Sequence, residues 1–341
     1  RLDQSAVTAT SIEWVRGSDG SKGLSWNALR AWIRITRKGH TFEVSANHCE
    51  RVNEACRFCY AERINFRLGG TGFKPGNRHL YRFAVDPMKL LEPVHRRKPT
   101  RIFVESMSDT FGAWWPTEFV DHLYAVMAIC PQHTFINLTK RPDRRRDYLI
   151  DPEMPARVAK IAGDLNETIP GRIRDQSNIR DGLRERPLRN VIEGTSVSCQ
   201  GDADEFVPVL LATRCHRRAV SAEPLLGPID FLRYLDIKTQ DPLVVAEPAL
   251  HWIITGGESG DKARPVDPAW LRSIRDQCET AGIAHHFKQH GEWLHESQVG
   301  ALGFSDSRSY LWADKSQSYF AGKKAAGRLL DGIEHNGFPA L

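Results

Sequence analysis

The chain has 341 residues, 41% of them hydrophobic, and carries 47 Lys and Arg against 42 Asp and Glu, a formal net charge of +5. That length can bury a large core, as one barrel-sized domain or two smaller ones, while a mean hydropathy of −0.43 and the lack of any long apolar run exclude a membrane span. No basic start followed by an apolar stretch marks residues 1–30, so no secretory signal is expected. Of the seven cysteines, Cys130, Cys199, Cys215 and Cys278 stand singly, which fits reduced thiols of a cytoplasmic protein and not a disulfide framework.

Residues 1–40 read as an N-terminal extension, and a first strand is expected over Thr41 to Val44. The run HCERVNEACRFCYAER follows, with the spacing Cys49-x6-Cys56-x2-Cys59. A structural zinc closes its shell with four protein ligands, whereas a catalytic metal or an iron–sulfur cluster with one unligated iron keeps a place open. Three thiolates in one loop therefore favour the open kind of site; the plain alternative is zinc completed by His48 or His40. Further strands are expected over Arg101–Glu105, His133–Leu138, Asn190–Glu193, Ala219–Ala222, His251–Thr255 and His285–Lys288. A helix spans about Thr117 to Ala128, with Phe119, Val120, Leu123, Val126 and Met127 on one face. Another opens at Asp267-Pro268 and places Leu271, Ile274 and Cys278 at helical spacing.

Repeated strand-then-helix units imply an α/β fold with a parallel sheet and crossover helices. Six or seven units favour a (β/α) barrel, partial, over a doubly wound sheet. The barrel is assigned to residues 41–293. The stretch 151–189, rich in Arg, Asp and Pro, reads as an irregular insertion or mobile lid, and residues 294–341 as a C-terminal extension packed on the barrel, with Tyr310-Leu311-Trp312 and Tyr319-Phe320 in a short hairpin.

In such folds chemistry sits at the carboxyl ends of the strands, and polar residues end each expected strand in turn. The cysteine loop follows the first and Ser106-Met107-Ser108-Asp109 the second. Thr139-Lys140-Arg141 ends the third, Gly194-Thr195-Ser196 the fourth, Glu223-Pro224 the fifth, Gly256-Gly257-Glu258-Ser259 the sixth and Lys288-Gln289 the seventh. Each has a bland explanation taken alone: Asp109 capping a helix, Glu223 paired with Arg217 or Arg218, Gly256-Gly257 a tight turn. Seven on one rim are harder to explain by packing.

The Cys-x-aromatic-Cys tail, with Phe58 before Cys59, resembles the cluster loop of the radical S-adenosylmethionine superfamily. Longer stretches are similar to a phage-associated three-cysteine-motif family of that type: CRFCYAER (56–63), IFVESMSD (102–109), AEPLLGPID (222–230), IITGGESG (253–260), FKQHGEW (287–293) and GKKAAGRLLD (322–331). The chain departs in a first gap of six residues instead of three, in a Trp26-containing insertion after Trp14, and in His290 where tryptophan is expected. The resemblance implies a 4Fe-4S cluster on Cys49, Cys56 and Cys59, with S-adenosyl-L-methionine on the fourth iron and cleaved to a 5'-deoxyadenosyl radical. By position, Phe58 and Tyr60 are assigned to the adenine surroundings, and Ser106 and Ser108 to the methionyl end or ribose. Ser196 and Glu223 are assigned to the cofactor's polar edge, Gly256, Gly257 and Glu258 to a close backbone approach with a carboxylate, and Lys140, Glu223 and Lys288 to catalysis or substrate binding.

As partners, the resemblance implies an electron donor, flavodoxin or ferredoxin. The basic clusters His95 to Lys98, Lys140-Arg141, Arg144 to Arg146 and Arg172 to Arg189 point to nucleic acid, DNA ahead of RNA, in modification or repair, with Phe111, Trp114 and Trp115 offered for base stacking. A partner protein presenting the substrate is a further expectation. Two other functions stay open: a zinc-dependent hydrolase or deaminase, and a nucleic-acid-binding module with structural zinc.

Overall fold

The computed structural model describes residues 9–168, 176–234, 249–298 and 308–340. Its strands are β1 (Leu24–Trp26), β2 (Leu29–Arg37), β3 (His40–Ala46), β4 (Tyr81–Val85), β5 (Arg101–Val104), β6 (Thr134–Thr139), β7 (Val191–Val197), β8 (Arg217–Ala222), β9 (Trp252–Thr255), β10 (Ala284–Phe287), β11 (Trp293–His295), β12 (Ser309–Leu311) and β13 (Gln317–Phe320). Its helices are α1 (Tyr60–Arg67), α2 (Pro87–Leu90), α3 (Glu92–His95), α4 (Thr117–Ile129), α5 (Pro142–Ile150), α6 (Met154–Thr168), α7 (Gln176–Glu185), α8 (Gln200–Leu211), α9 (Pro268–Ala281) and α10 (Lys323–Ala326).

Seven strands form one parallel sheet in the order β1-β5-β6-β7-β8-β9-β10. Each new strand from β5 onward adds to the same growing edge. A doubly wound sheet reverses its strand order at a switch point; this one does not, and it curls into a half-barrel whose edges β1 and β10 do not meet. Side chains alternate across each strand. Phe103, Ile136, Ile192, Ala219, Trp252, Ile254 and Ala284 face inward around Trp14, whose ring meets Phe103 at 4.7 Å and Trp252 at 5.9 Å. Their neighbours Ile102, Val104, Phe135 and Val191 pack outward beneath α4, while Val220, Ile253 and Phe287 pack beneath α8 and α9. Each large side chain so buried contributes roughly 1.5–3 kcal/mol.

The helices begin where the residues dictate. The Asp267 carboxylate accepts from the Ala269 N–H at 2.8 Å, Pro268 fills the first turn, and Gly282 ends α9 at φ +65°, a backbone shape that favours glycine. Val120, Leu123, Val126 and Met127 of α4 are buried and Phe119 is partly so.

Three expectations change. Thr41–Val44 belongs to β3, in a separate antiparallel sheet β3-β2-β4; its alternating polar residues suit a ribbon with one wet face. The first parallel strand is β1, so residues 1–40 are not a mere extension: they supply β1, β2 and the Trp14 floor. The stretch 151–189 is not irregular where described, since α6 and α7 occupy most of it and α6 buries Met154, Val158 and Ala162 beside α4; residues 169–175 lie outside the described ones. At the C-terminal end, β12 pairs with β13, and β13 with β11, antiparallel, which is the expected hairpin widened by one strand.

Candidate functional site: the cysteine loop over the strand ends

The cysteine loop leaves β3, crosses the carboxyl end of the half-barrel and enters α1 at Cys59. Four strand ends hold it down. Beyond β5, the Ser108 hydroxyl donates to the His48 carbonyl at 2.6 Å, and the Tyr60 hydroxyl donates to the Ser106 carbonyl at 2.6 Å. Beyond β6, Arg141 donates to the Glu50 carbonyl at 2.8 Å. Beyond β7, the Asn53 amide donates to Asp202 at 2.8 Å. Beyond β9, Arg264 reaches Glu54, and Arg63 donates to the Ser259 carbonyl at 3.2 Å.

All three thiols are free and half-buried, and each of Cys49 and Cys59 lies near enough to the others for a charge on one to bear on the rest. Burial pushes the Cys49 thiol well up, with Asp109 adding to the effect and Arg141 opposing it. Burial also raises Cys59, against the N–H groups of Glu62 and Ala61 at the start of α1 and the Lys140 ammonium. Thiols so placed lose their protons when a bound cation compensates the charge.

Lys140, Ser196, Glu223, Gly256 and Lys288 continue the inward-facing rows of β6 to β10, one or two steps above the apolar floor. The structure therefore brings together under the loop five positions that the sequence scatters over 149 residues. Lys288 pairs with Glu223, both half-buried; neither Arg217 nor Arg218 does, because those side chains leave the start of β8 at the opposite end. The half-buried Lys140 ammonium has no ion-pair partner among the described residues.

Other assigned residues are employed otherwise. The Ser106 hydroxyl is engaged by Ser25 and Asn27, and that of Ser108 by His48. A Cβ on Gly257 would lie 1.9 Å from the His290 carbonyl oxygen, so this glycine admits the Gln289-His290 backbone. Gly256 is less tight, a Cβ there lying 3.4 Å from Glu223. Glu258 is buried and gripped by Arg264 at 2.7 and 2.8 Å. Asp109 caps no helix: it accepts from Thr139 at 2.6 Å, Arg141 at 2.9 Å and the Lys140 N–H at 3.1 Å, fixing the end of β6. His290 packs on Phe287 with ring centroids 4.8 Å apart, in the core.

The zinc ligands suggested beside the cysteines do not join them. His40 is exposed at the turn between β2 and β3, and His48 is fully buried among the rings of Tyr81, Phe83 and Trp114 at 5.1–5.7 Å. A single tetrahedral zinc, with sulfurs at about 2.3 Å, would draw its thiols to about 3.8 Å from one another. Among the described residues no group of three or more His, Cys, Asp or Glu side chains is gathered as a ready-made metal site, for zinc or for iron. In an iron–sulfur cluster each thiolate takes a different iron, and three thiols within electrostatic reach of one another are soft donors of the kind such a group takes.

The proposed stacking rings and part of the basic clusters are engaged within the fold. Phe111, Trp114 and Trp115 are 1%, 6% and 1% exposed, which removes them as a platform for bases. Arg144 donates to the carbonyls of Phe111, Gly112 and Trp115, and Arg145 is fully buried against Gly194. His95 to Lys98 precede β5, at the end of the sheet opposite the cysteines. In the run Arg172 to Arg189, Arg172 and Arg174 lie outside the described residues and Arg180 pairs with Asp181 at 2.9 Å. No helix among the described residues is long and apolar enough to cross a membrane.

Residues 33–339 match a family described as a protein of unknown function, DUF5131. The chain belongs to this family. No curated protein and no solved structure matches this DUF5131 chain. Of the groups that hold its cysteine loop, Arg264 and Asn53 with Asp202 are not among the site residues read from sequence, and Arg141 is read there only as a strand-end cation. Their partners lie up to 210 positions away, and no local spacing signals such a contact.

Proposed function

We propose that this DUF5131 protein is a radical S-adenosylmethionine enzyme whose Cys49, Cys56 and Cys59 hold a 4Fe-4S cluster. The observation that carries the proposal is the placement of the three-thiol loop across the carboxyl end of a parallel half-barrel, with the Lys140 ammonium, which has no ion-pair partner among the described residues, near Cys59. When bound, the cluster and S-adenosyl-L-methionine supply reductive cleavage of the sulfonium and hydrogen abstraction from substrate.

The chain's own residues bind and orient. Lys140 offers a fixed positive charge to a carboxylate or phosphate next to the thiols. Glu223 and Lys288, paired with one another, set a polar wall. Ser196 adds a hydroxyl between them and β6, and Gly256, lacking a side chain, lets the Glu223 side chain and the Gln289 carbonyl lie close. The loop lies over that face. A flavodoxin or ferredoxin would supply the electron. The burial of the tryptophans leaves the substrate reading at an anionic molecule near Lys140, and a nucleotide or nucleic acid, DNA first, satisfies that chemistry.

Anaerobic reconstitution followed by iron, sulfide and 5'-deoxyadenosine analysis tests the proposal. We expect close to four irons and four sulfides per chain, lost on Cys59→Ala and kept on Cys278→Ala, whose thiol is buried beneath α9. Colourless protein holding only zinc, or equal 5'-deoxyadenosine formation by both variants, rejects it and favours the zinc hydrolase or binding-module alternatives.

A further inference from the structure

We propose that Arg264 is a positioning residue that latches the cysteine loop onto the Gly256–Ser259 turn, and that Glu258 is the catch and not a ligand-binding carboxylate. Glu258 is 5% exposed. Both its oxygens are taken: Arg264 Nη2 donates to Oε1 at 2.7 Å, while Arg264 Nε and its backbone N–H donate to Oε2 at 2.8 and 2.9 Å. A planar guanidinium and a carboxylate joined at two points fix each other's orientation as well as their distance.

The same guanidinium continues into the cysteine loop. Its Nη1 donates to the Glu54 carboxylate and its Nη2 to the Glu54 carbonyl, both at 3.3 Å, two residues before Cys56. It also lies 5.3 Å from the centre of the Phe58 ring, whose neighbour in sequence is Cys59, and Arg57 lies 5.4 Å from that ring while pairing with Glu54 at 3.0 Å. One cation thus touches the residues flanking two of the three thiols. A second strap runs parallel: Arg63 donates to the Ser259 carbonyl, and a Cβ on Gly260, which sits at φ +113°, would lie 2.2 Å from the Arg63 guanidinium. Gly260 is therefore the residue that lets α1 close on the turn. Exposed ion pairs alone hold little, but this one has a buried carboxylate, four side-chain hydrogen bonds with a fifth from the Arg264 backbone N–H, and a ring contact.

The purpose of the latch, holding Cys56 and Cys59 in place for a metal group, rests on the proposed function; the latch itself does not. Its test therefore uses the metal-free reduced protein, with iodoacetamide alkylation of each cysteine followed by peptide mass analysis. Arg264→Gln is expected to speed alkylation of Cys56 and Cys59 by about tenfold, through opening of the loop, with Cys130 and Cys278 unchanged. Glu258→Gln should do the same, and the double variant should add little, since both remove one contact. Arg264→Lys, which keeps the charge but loses the fork, should restore protection only in part. Arg272→Gln, on α9, which cuts a pair with Asp331 of the C-terminal segment, serves as the control and should leave all rates unchanged. A second readout is the electron paramagnetic resonance signal of reconstituted protein, which should broaden in Arg264→Gln while circular dichroism stays that of the wild type. Unchanged alkylation in Glu258→Gln, a folded Arg264→Gln with wild-type rates, or full rescue by lysine overturns the latch. A wild-type protein that takes up no iron yet shows the latch effect rejects only the proposed function; iron uptake without the effect rejects only the latch.

Discussion

Glu105 is a carboxyl that the fold holds as an acid. It is 2% exposed at the end of β5, in the left-handed region at φ +50°, with Oε1 accepting from the N–H groups of Ala28 and Leu29 at 2.7 and 2.9 Å and Oε2 buried without a hydrogen-bond partner among the described residues. Burial pushes its pKa from 4.5 up to about 8, against the two N–H groups and Arg30. Between those two values the unfolded chain releases a proton that the folded chain keeps. The Glu105 contribution to stability is thus fully present below about 4.5 and lost as the pH rises through 8. We expect the melting temperature of the wild type to fall between pH 6 and 8 relative to that of Glu105→Gln, whose amide oxygen keeps both N–H partners, with a difference of a few kcal/mol across the window. Parallel melting curves would refute it. Nothing in the run IFVESMSD separates this buried acid from an exposed one; its partners come from the corner between β1 and β2, 76 and 77 positions earlier.

At the scale of elements, the turn after β9 and the turn after β10 are built as a pair. Gly257 donates its N–H to the Gln289 carbonyl at 2.9 Å, and its missing side chain admits the His290 backbone. Gly257→Ala should destabilise the protein by roughly 2–4 kcal/mol, because the obstacle is backbone and cannot swing aside. Gly76→Ala, where a Cβ meets nothing within 4 Å, should change stability by less than about 0.5 kcal/mol; equal melting temperatures for the two would contradict the packing. The sequence announced this turn by its glycines and announced α9 by Asp267-Pro268, since caps and turns are local matters of φ and hydrogen bonding. It misplaced Thr41–Val44, because alternation looks the same in a wet antiparallel ribbon and in a barrel strand. It also passed over β1, three residues long and too short to show a period.

The whole molecule depends on its beginning more than the motif map suggests. A fragment spanning 41–293 keeps every cysteine-loop and rim residue but loses β1, β2 and Trp14, and so exposes the edge of β5 together with the inner faces of Phe103 and Trp252. We expect that fragment to be aggregated or to bind hydrophobic dye strongly, and the chain from residue 9 onward to melt in one cooperative step; a monomeric, cooperatively melting 41–293 would show that the N-terminal strands are dispensable. What the sequence determined by itself was whatever is local or periodic: the strand-and-helix alternation, the helix starts, and three cysteines too close together to be scattered core thiols. What only the tertiary structure decided was which side chains meet. The pairing of Glu223 with Lys288, the loop's hold on four strand ends and the reach of Arg264 to Glu54 join residues from distant parts of the chain, and the burial of Trp114 and Trp115 follows from what packs around them. Such contacts are set by strand order and register, and no spacing along the chain encodes them.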